Sequence, residues 1–423
     1  MKLDTKAMRH LTPEDWRVLT AVEICSKNHE IVPTTLIERT ARLRGGSSGL
    51  HKSISNLAKT GLIGRVKEAK YDGYRLTYGG MDYLSLHAYS GRKDIYSVGS
   101  RIGVGKESDI VMVADEKGQQ KVLKIHRLGR ISFRTVKTNR DYLKKRQGGS
   151  WMYLSRLSAM KEYAFMQVLR EEGFPVPEPI AQSRHTVLMS FIDDSYPLRQ
   201  ISTVPDPATL YAELIALILR LAKHGLIHGD FNEFNILVKE ERPEGAKEGG
   251  DDSAEAEAEA VTLTPILIDF PQMVSMEHQN AEMYFNRDVE CVKRFFQKRF
   301  RFVNTEPGPF YKDAKKTVGK DGAKRLDAAV EASGFTKKML KDLEAAIREQ
   351  AGSKGEDGEG LSGDEDEATD SEDEADDSID EDEGDKNESD DEHRQGYPVN
   401  KDETETQVGS LDAMGKLELK DAS

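Results

Sequence analysis

Residues 228–238, HGDFNEFNILV, set a histidine, an aspartate and two asparagines ahead of an abrupt apolar run. Asn and Asp favour turns, so turn chemistry alone is one reading. The spacing suits a second one. Asp230 and Asn235 stand five positions apart, and another carboxylate, Asp269, closes the later apolar segment PILIDFPQ. Carboxylate and amide oxygens are hard ligands, the kind that hold Mg²⁺ against phosphates. Asp230 is then left to accept, or to orient, the proton of a hydroxyl or a water.

Three earlier features bear on that choice. GSRIGVGKES, residues 99–108, puts Gly103 and Gly105 on a strand-to-strand turn where backbone N–H groups can approach phosphates, with Lys106 and the Ser108 hydroxyl as further donors. It is not a Walker loop, because Ser100 stands five before Gly105 and Glu107 follows the lysine. Alone it reads as a hairpin. Lys124 lies in the middle of the apolar strand VLKI, where an unpaired lysine is rare, although it and Lys121 also fit as surface charges. Glu162, in AMKEYAFMQVL, fits a solvated helix face or a buried partner for that lysine. Each feature alone is unspecific. The order is not: glycine loop, strand lysine, helix glutamate, H-x-D-x-x-x-x-N and then D-F is the order of the protein-kinase signature set.

GVGKESDI, VLKIHRLGR, KEYAFM, HGDFNEFNILV and IDFPQ together resemble the RIO-family atypical serine/threonine protein kinases, and within them the winged-helix-bearing, eukaryotic RIO kinase two subfamily. The likeness covers roughly residues 1–300. It implies ATP and Mg²⁺ as substrate and cofactor. It implies that Ser108 and the backbone of residues 103–107, with Gly103, Gly105 and Lys106, contact the phosphates. Lys124 would bind the α/β phosphates and pair with Glu162. Met189 would be the gatekeeper, with backbone groups of Ser190 and Ile192 holding adenine. Asp230 would be the catalytic aspartate, and Asn235 and Asp269 the Mg²⁺ ligands. The family also implicates the aspartate matching Asp269 as a phosphoryl acceptor, and implies an ATPase-like switch in cytoplasmic maturation of the small ribosomal subunit. HGD replaces H-R-D, DFP replaces D-F-G, and no A-P-E segment precedes the helical NAEMYFNRDVECVKRFF, so the usual platform for a peptide substrate is missing. A kinase acting on other proteins and a non-catalytic assembly scaffold are the alternative readings.

The elements that must position these residues fall into two lobes after a small leading domain. The fold expected is α+β: a bilobal protein-kinase-like (RIO) fold preceded by a winged-helix domain and followed by a disordered acidic tail. Residues 1–92 read as three helices and a hairpin. The first is capped by Thr12 with Pro13 behind it, and carries Trp16, Leu19, Val22 and Ile24 at roughly helical spacing. The second runs Pro33 to Arg42, and the third sets Leu50, Ile54 and Leu57 on one face before Gly61. Strands LIGRV and YRLTY flank a turn at Asp72-Gly73. His51, Lys52, Ser53 and Lys59, with Lys67 and Lys70 on the wing, could lie on a nucleic-acid backbone, and a protein-docking role fits as well. Residues 93–192 form a strand-rich lobe with a basic flexible loop at 127–150. Residues 193–350 form a helix-rich lobe with a disordered acidic insertion at 240–260, and 351–423 are the tail.

Charge is distributed as unevenly as structure. Residues 351–395 carry 22 acids against three bases, and 240–260 carry nine against two. The whole-chain charge of −14 is therefore the sum of −19, −7 and a foldable body at +12. The loop after Lys124 holds Arg127, Arg130, Arg134, Lys137, Arg140, Lys144, Lys145 and Arg146 against Asp141 alone. Such a loop suits ribosomal RNA, each phosphate contact adding salt-dependent affinity. The partner expected is a pre-small-subunit ribosomal particle, its rRNA, proteins and assembly factors. Leu411, Met414, Leu417 and Leu419 are spaced like a leucine-rich nuclear export signal, so a nuclear exportin is a candidate partner and shuttling through the nucleus is expected of a cytoplasmic protein. Two cysteines, Cys25 and Cys291, are too few for a disulfide framework. MKLDTKAMRHL lacks the apolar core of a signal peptide. LIALILRLA is too short to span a bilayer and is broken by Arg220, so no membrane role is expected.

Overall fold

The computed structural model describes residues 3–66, 72–129, 149–241, 262–332, 343 and 415–416. The readings for Lys67, Lys70, most of the basic loop, the acidic insertion, the acidic tail and the four export-signal side chains lie outside them. Gly415 and Lys416 pair antiparallel with Val98 and Ser97.

In the leading domain, α1 (Pro13–Ser26) starts in a reciprocal cap, with Thr12 Oγ1 accepting from the Asp15 amide and Asp15 from the Thr12 amide. Trp16, Val18, Leu19, Ala21, Val22 and Cys25 are buried, whereas Ile24, expected inside, is half exposed. The stripe runs through Val18 and Cys25 instead, one step round the helix. Helices α2 (Thr34–Ala41) and α3 (Gly46–Lys59) follow, and Leu50, Ile54 and Leu57 are buried as their spacing predicts. Ser53, assigned to a nucleic-acid face, is buried too, while His51, Lys52 and Lys59 are exposed. Strands β1 (Val32–Pro33), β2 (Ile63–Val66) and β3 (Gly73–Leu76) make a sheet in the order β1-β3-β2. A Cβ on Gly73 would lie 2.7 Å from the Val32 carbonyl oxygen, so glycine is what lets β1 join the wing.

A fourth helix, α4 (Tyr78–Gly91), was not expected. Its residues are buried on nearly every side, among them Met81, Tyr83, Leu84, Leu86 and Tyr89, so no polar stripe marks it as a helix. It is the joint between two domains. Ser85 donates to the Ser183 carbonyl, and the Tyr89 hydroxyl lies 2.9 Å from that of Thr186. One continuous core runs from Trp16, Leu19 and Leu57 through α4 to Val111, Val113, Leu123, Ile125 and Leu188 of the next sheet.

That sheet comprises β4 (Ser97–Val104), β5 (Ser108–Ala114), β6 (Gln120–His126), β7 (Pro179–Ser183) and β8 (Thr186–Ser190), antiparallel in the order β4-β5-β6-β8-β7. Helix α5 (Gly149–Glu171) packs on β6, β7 and β8. The second lobe contains β9 (Ser195–Pro197), β11 (Ile236–Glu241) and β12 (Thr262–Leu267), with β10 (Leu226–Ile227) paired to β13 (Val274–Ser275). Its helices are α6 (Pro207–Lys223), α7 (Ala281–Phe300), α8 (Tyr311–Lys316) and α9 (Leu326–Ala332). The apolar run 214–222 is the core face of α6, with Leu214, Leu217, Ile218 and Leu221 buried. Among the described residues no helix is long and apolar enough to cross a membrane.

Candidate active site

The site is built from five elements that lie between residues 103 and 269. The β4–β5 hairpin closes through the Gly105 amide on the Ser108 carbonyl, and its ladder shifts register twice between Val98 and Gly103. Those shifts are bulges, which turn a strand end away from its neighbours. Lys106 stands exposed at the tip, and Ser108 is half-buried at the start of β5.

Lys124 projects from β6 into a cluster of carboxylates. Its Nζ lies 2.7 Å from Glu162 Oε1 on α5 and 2.9 Å from Asp269 Oδ1 beyond β12. Neither surface reading survives: Lys124 is 6% exposed and Glu162 1%. Burial alone would push the Glu162 carboxyl up, but the Lys124 charge and the His126 ring overcome it and hold the group at about 2. Burial likewise opposes the Lys124 charge, and the charges of Asp269 and Glu162 outweigh it, leaving the amine above its ordinary value. Lys121, read as a surface charge, is also buried, on Asp115 and the Asp94 carbonyl.

The loop 228–235 is polar because Asp230, Asn232 and Asn235 hold one another in place. Asn235 Nδ2 donates to both the Asp230 carbonyl and Asp230 Oδ2, and Asn232 Nδ2 donates to Asp230 Oδ1. With its nitrogen so committed, Asn235 turns its amide oxygen away from Asp230. Burial, then the nearby Asp269, raises the Asp230 carboxyl above its ordinary value. From below, Asp288 on α7 accepts the Gly229 and Phe231 amides at 2.8 and 3.1 Å, while Arg287 donates to the Gly229 carbonyl. Asp269 itself sits at φ +70°, a left-handed conformation that a non-glycine residue adopts only where the surroundings impose it.

Comparison with known proteins then decides the family. A model described as the RIO domain matches residues 109–244 and 261–307, and one described as Rio2, N-terminal, matches residues 8–92. The serine/threonine-protein kinase rio2 of Schizosaccharomyces pombe is 51% identical over 344 residues, 81% of this chain and 92% of that one. The serine/threonine-protein kinase RIO2 of Saccharomyces cerevisiae is 46% identical over 381 residues, 87% of this chain and 86% of that one. A crystal structure of the Rio2 kinase-ADP/Mg2+-phosphoaspartate complex from Chaetomium thermophilum is 76% identical, with a TM-score of 0.75, over 83% of this chain and 100% of that one. The chain belongs to the Rio2 family of RIO-domain serine/threonine-protein kinases.

Within this Rio2-family cleft, the structure gathers Lys124, Glu162, Asp230, Asn235 and Asp269 as the sequence foretold. It also sharpens the hinge. Met189 is buried opposite Val122. The Ser190 amide donates to the Glu178 carbonyl, and the Ile192 carbonyl accepts from the Ser195 hydroxyl at 2.8 Å. The Ser190 amide and the Ile192 carbonyl are thus committed within the protein. Two side chains were missed. Glu107 was counted only as loop backbone, yet burial, then the charge of Asp269, pushes its carboxyl up to about 7. His126 lies against Glu162. The HR dipeptide directly after VLKI was a signal available for the second, since a polar pair continuing a buried strand needs partners.

Proposed function

We propose that this chain is an ATP- and Mg²⁺-dependent kinase and ATPase that acts as an assembly and release switch in late cytoplasmic maturation of the small ribosomal subunit. One observation carries the catalytic part: Glu162 and Asp269 both meet the Lys124 ammonium, and Glu107 and Asp230 lie near enough to Asp269 that burial, then its charge, raises both of their carboxyls. Excess negative charge out of water calls for a cation. Hard oxygens from Asp269 and the Asn235 amide fit Mg²⁺, which takes few protein ligands and shares the rest with phosphates. When bound, the ion neutralises phosphate charge and fixes the γ-phosphorus in line.

This chain's own residues do the remainder. Lys124 holds the α/β phosphates while Glu162 holds Lys124. The Ser190 carbonyl and Ile192 amide present an acceptor and a donor to the adenine edge, beneath Met189. The amides of the 103–107 loop, Lys106 and the Ser108 hydroxyl meet the phosphates. An Asp269 oxygen attacks the γ-phosphorus, the bond to ADP breaks, and ADP leaves with the electron pair. Water, its proton accepted by Asp230, then attacks the aspartyl-phosphate and releases inorganic phosphate. The similar Rio2 kinase from Chaetomium thermophilum, crystallised as an ADP/Mg2+-phosphoaspartate complex, supports this route. Only residues 270–280 separate Asp269 from α7, which leaves no room for a peptide-binding segment and favours the ATPase over a kinase acting in trans.

The ribosomal part, including rRNA contact through the basic loop, cytoplasmic residence and exportin-dependent passage through the nucleus, rests on family resemblance and on the basic charge of the foldable body. Single-turnover incubation with γ-labelled ATP tests the chemistry. Hydroxylamine-labile label on wild type, absent from Asp269→Asn, is expected; label that resists hydroxylamine, or rapid stoichiometric transfer to a ribosomal protein, would favour the trans kinase. Crosslinking of bound protein to RNA with hydrolysable and non-hydrolysable ATP tests the switch. Equal crosslinking with both nucleotides would refute it.

A further inference from the structure

We infer that His126 is a positioning residue for phosphoryl transfer, holding Glu162 so that Lys124 keeps a free donor for the nucleotide. This rests on the reading of the cleft as an ATP site. His126 is 2% exposed and closes β6 two residues after Lys124, on the same face of the strand. Its Nε2 lies 2.7 Å from Glu162 Oε2, the carboxylate oxygen that Lys124 does not use. Its Nδ1 lies 2.9 Å from Ser158 Oγ, one turn before Glu162 on α5. Its amide donates to the His185 carbonyl, and its backbone pairs with Ser108 of the phosphate loop. Ring and backbone are thus fixed from three sides.

The consequence is a matter of counting donors. A lysine ammonium has three N–H groups and no acceptor. One goes to Glu162 Oε1 and one to Asp269 Oδ1, so one is left for a phosphate oxygen. A glutamate free to rotate could offer both oxygens to the same ammonium and take that third donor. With the His126 ring nitrogen 2.7 Å away, Oε2 faces the imidazole rather than the ammonium, and Glu162 keeps a single-oxygen contact with Lys124. Partners of this kind, one step removed from the reacting group, are worth about 10–100-fold where their loss has been measured at metal sites.

Steady-state ATPase measurements on the full chain, with melting temperatures alongside, test the inference. His126→Ala is expected to raise the KM for ATP by about tenfold with a smaller change in kcat. His126→Gln, whose side-chain amide can reach Oε2, is expected to recover most of the loss. In a Glu162→Gln background His126→Ala should add no further KM effect, whereas a merely structural histidine would add its full penalty. Should the alanine variant not fold, His126→Met, which fills the space without a donor, replaces it in the comparison with His126→Gln. A folded His126→Ala or His126→Met with KM within twofold of wild type, or equal KM values for the Met and Gln variants, overturns the inference. Failure of wild type itself to bind ATP with Mg²⁺ would instead overturn the reading of the cleft.

Discussion

Two buried charged clusters lie a few residues apart on the same strand end, and they are built on opposite principles. At the junction of the leading domain with the first lobe, Arg127 donates to Asp82 at 2.7 Å and Asp109 at 3.3 Å. His185 lies 2.8 Å from the other Asp82 oxygen, and Arg101 stands 3.7 Å from Asp109. Two carboxylates meet two guanidiniums. Burial would raise the Asp82 carboxyl, but the His185 contact and the Arg127 charge outweigh it and hold it low. In the cleft, carboxylates crowd one another: burial, then the charge of Asp269, pushes up the carboxyls of both Glu107 and Asp230 despite the charges of Lys124, Lys106 and Arg287 nearby. The first cluster matches its carboxylates with guanidiniums from within the chain. The second is complete only with a cation, and this separates a structural network from a functional one where burial alone does not.

The comparison can be broken most severely at the cleft. Asp230→Ala is expected to lower ATP turnover by about 10²–10⁴-fold, the usual worth of a positioned acid or base, while leaving the unfolding transition nearly unmoved. Activity within tenfold of wild type would remove Asp230 from its role. The opposite pattern is expected at the junction. Asp82→Asn leaves the Arg127 charge buried and short of a partner, and should cost about 3–5 kcal/mol in urea unfolding. Asp269→Asn, which lightens an excess of like charge, should cost nothing or raise the midpoint. Equal losses for the two asparagine variants would dissolve the distinction.

Cation binding sharpens the contrast further. ADP with Mg²⁺ at about 100 times its Kd should stabilise wild type by about 2.7 kcal/mol, a gain that chelation reverses and that Asp269→Asn loses in large part; calorimetric scans with and without chelator check it. Asp82→Asn should keep the gain. The smallest effect concerns pH. Glu107 keeps its proton up to about 7 in the fold, against an ordinary value of 4.5. The folded state therefore binds more protons than the unfolded one between those values, and its stability falls as pH rises through that window. Glu107→Gln should flatten this dependence in denaturant titrations at a series of pH values. An unchanged slope would place the carboxyl outside the cleft.

Legibility in the sequence followed the range of the interaction. Thr12, Pro13, Gly61, and the Leu50, Ile54 and Leu57 stripe were readable because caps, stops and amphipathic faces are settled within a few residues. Ile24 was misplaced because Val18 and Cys25 fit the same periodicity one step round α1. Helix α4 was invisible because it is buried on nearly all sides, so the alternation that marks a helix is missing. Ser53 was assigned to a surface by residue type, and packing placed it inside. In the site, the motif residues were legible because their types and order are unusual, whereas Glu107 and His126 are ordinary residues whose neighbours alone make them matter.

What the sequence by itself determined is the set of reactive groups and their order: the glycine loop, Lys124, Glu162, the 228–235 loop and Asp269. These are local choices of functional group, fixed once the residues are written. The tertiary structure decided which groups meet. Lys124 reaches Asp269 across 145 positions, Arg127 reaches Asp82 across 45, and a single core joins the leading domain to the first lobe. Such pairings depend on how sheets and helices stack, and packing answers to the whole chain at once rather than to any segment of it.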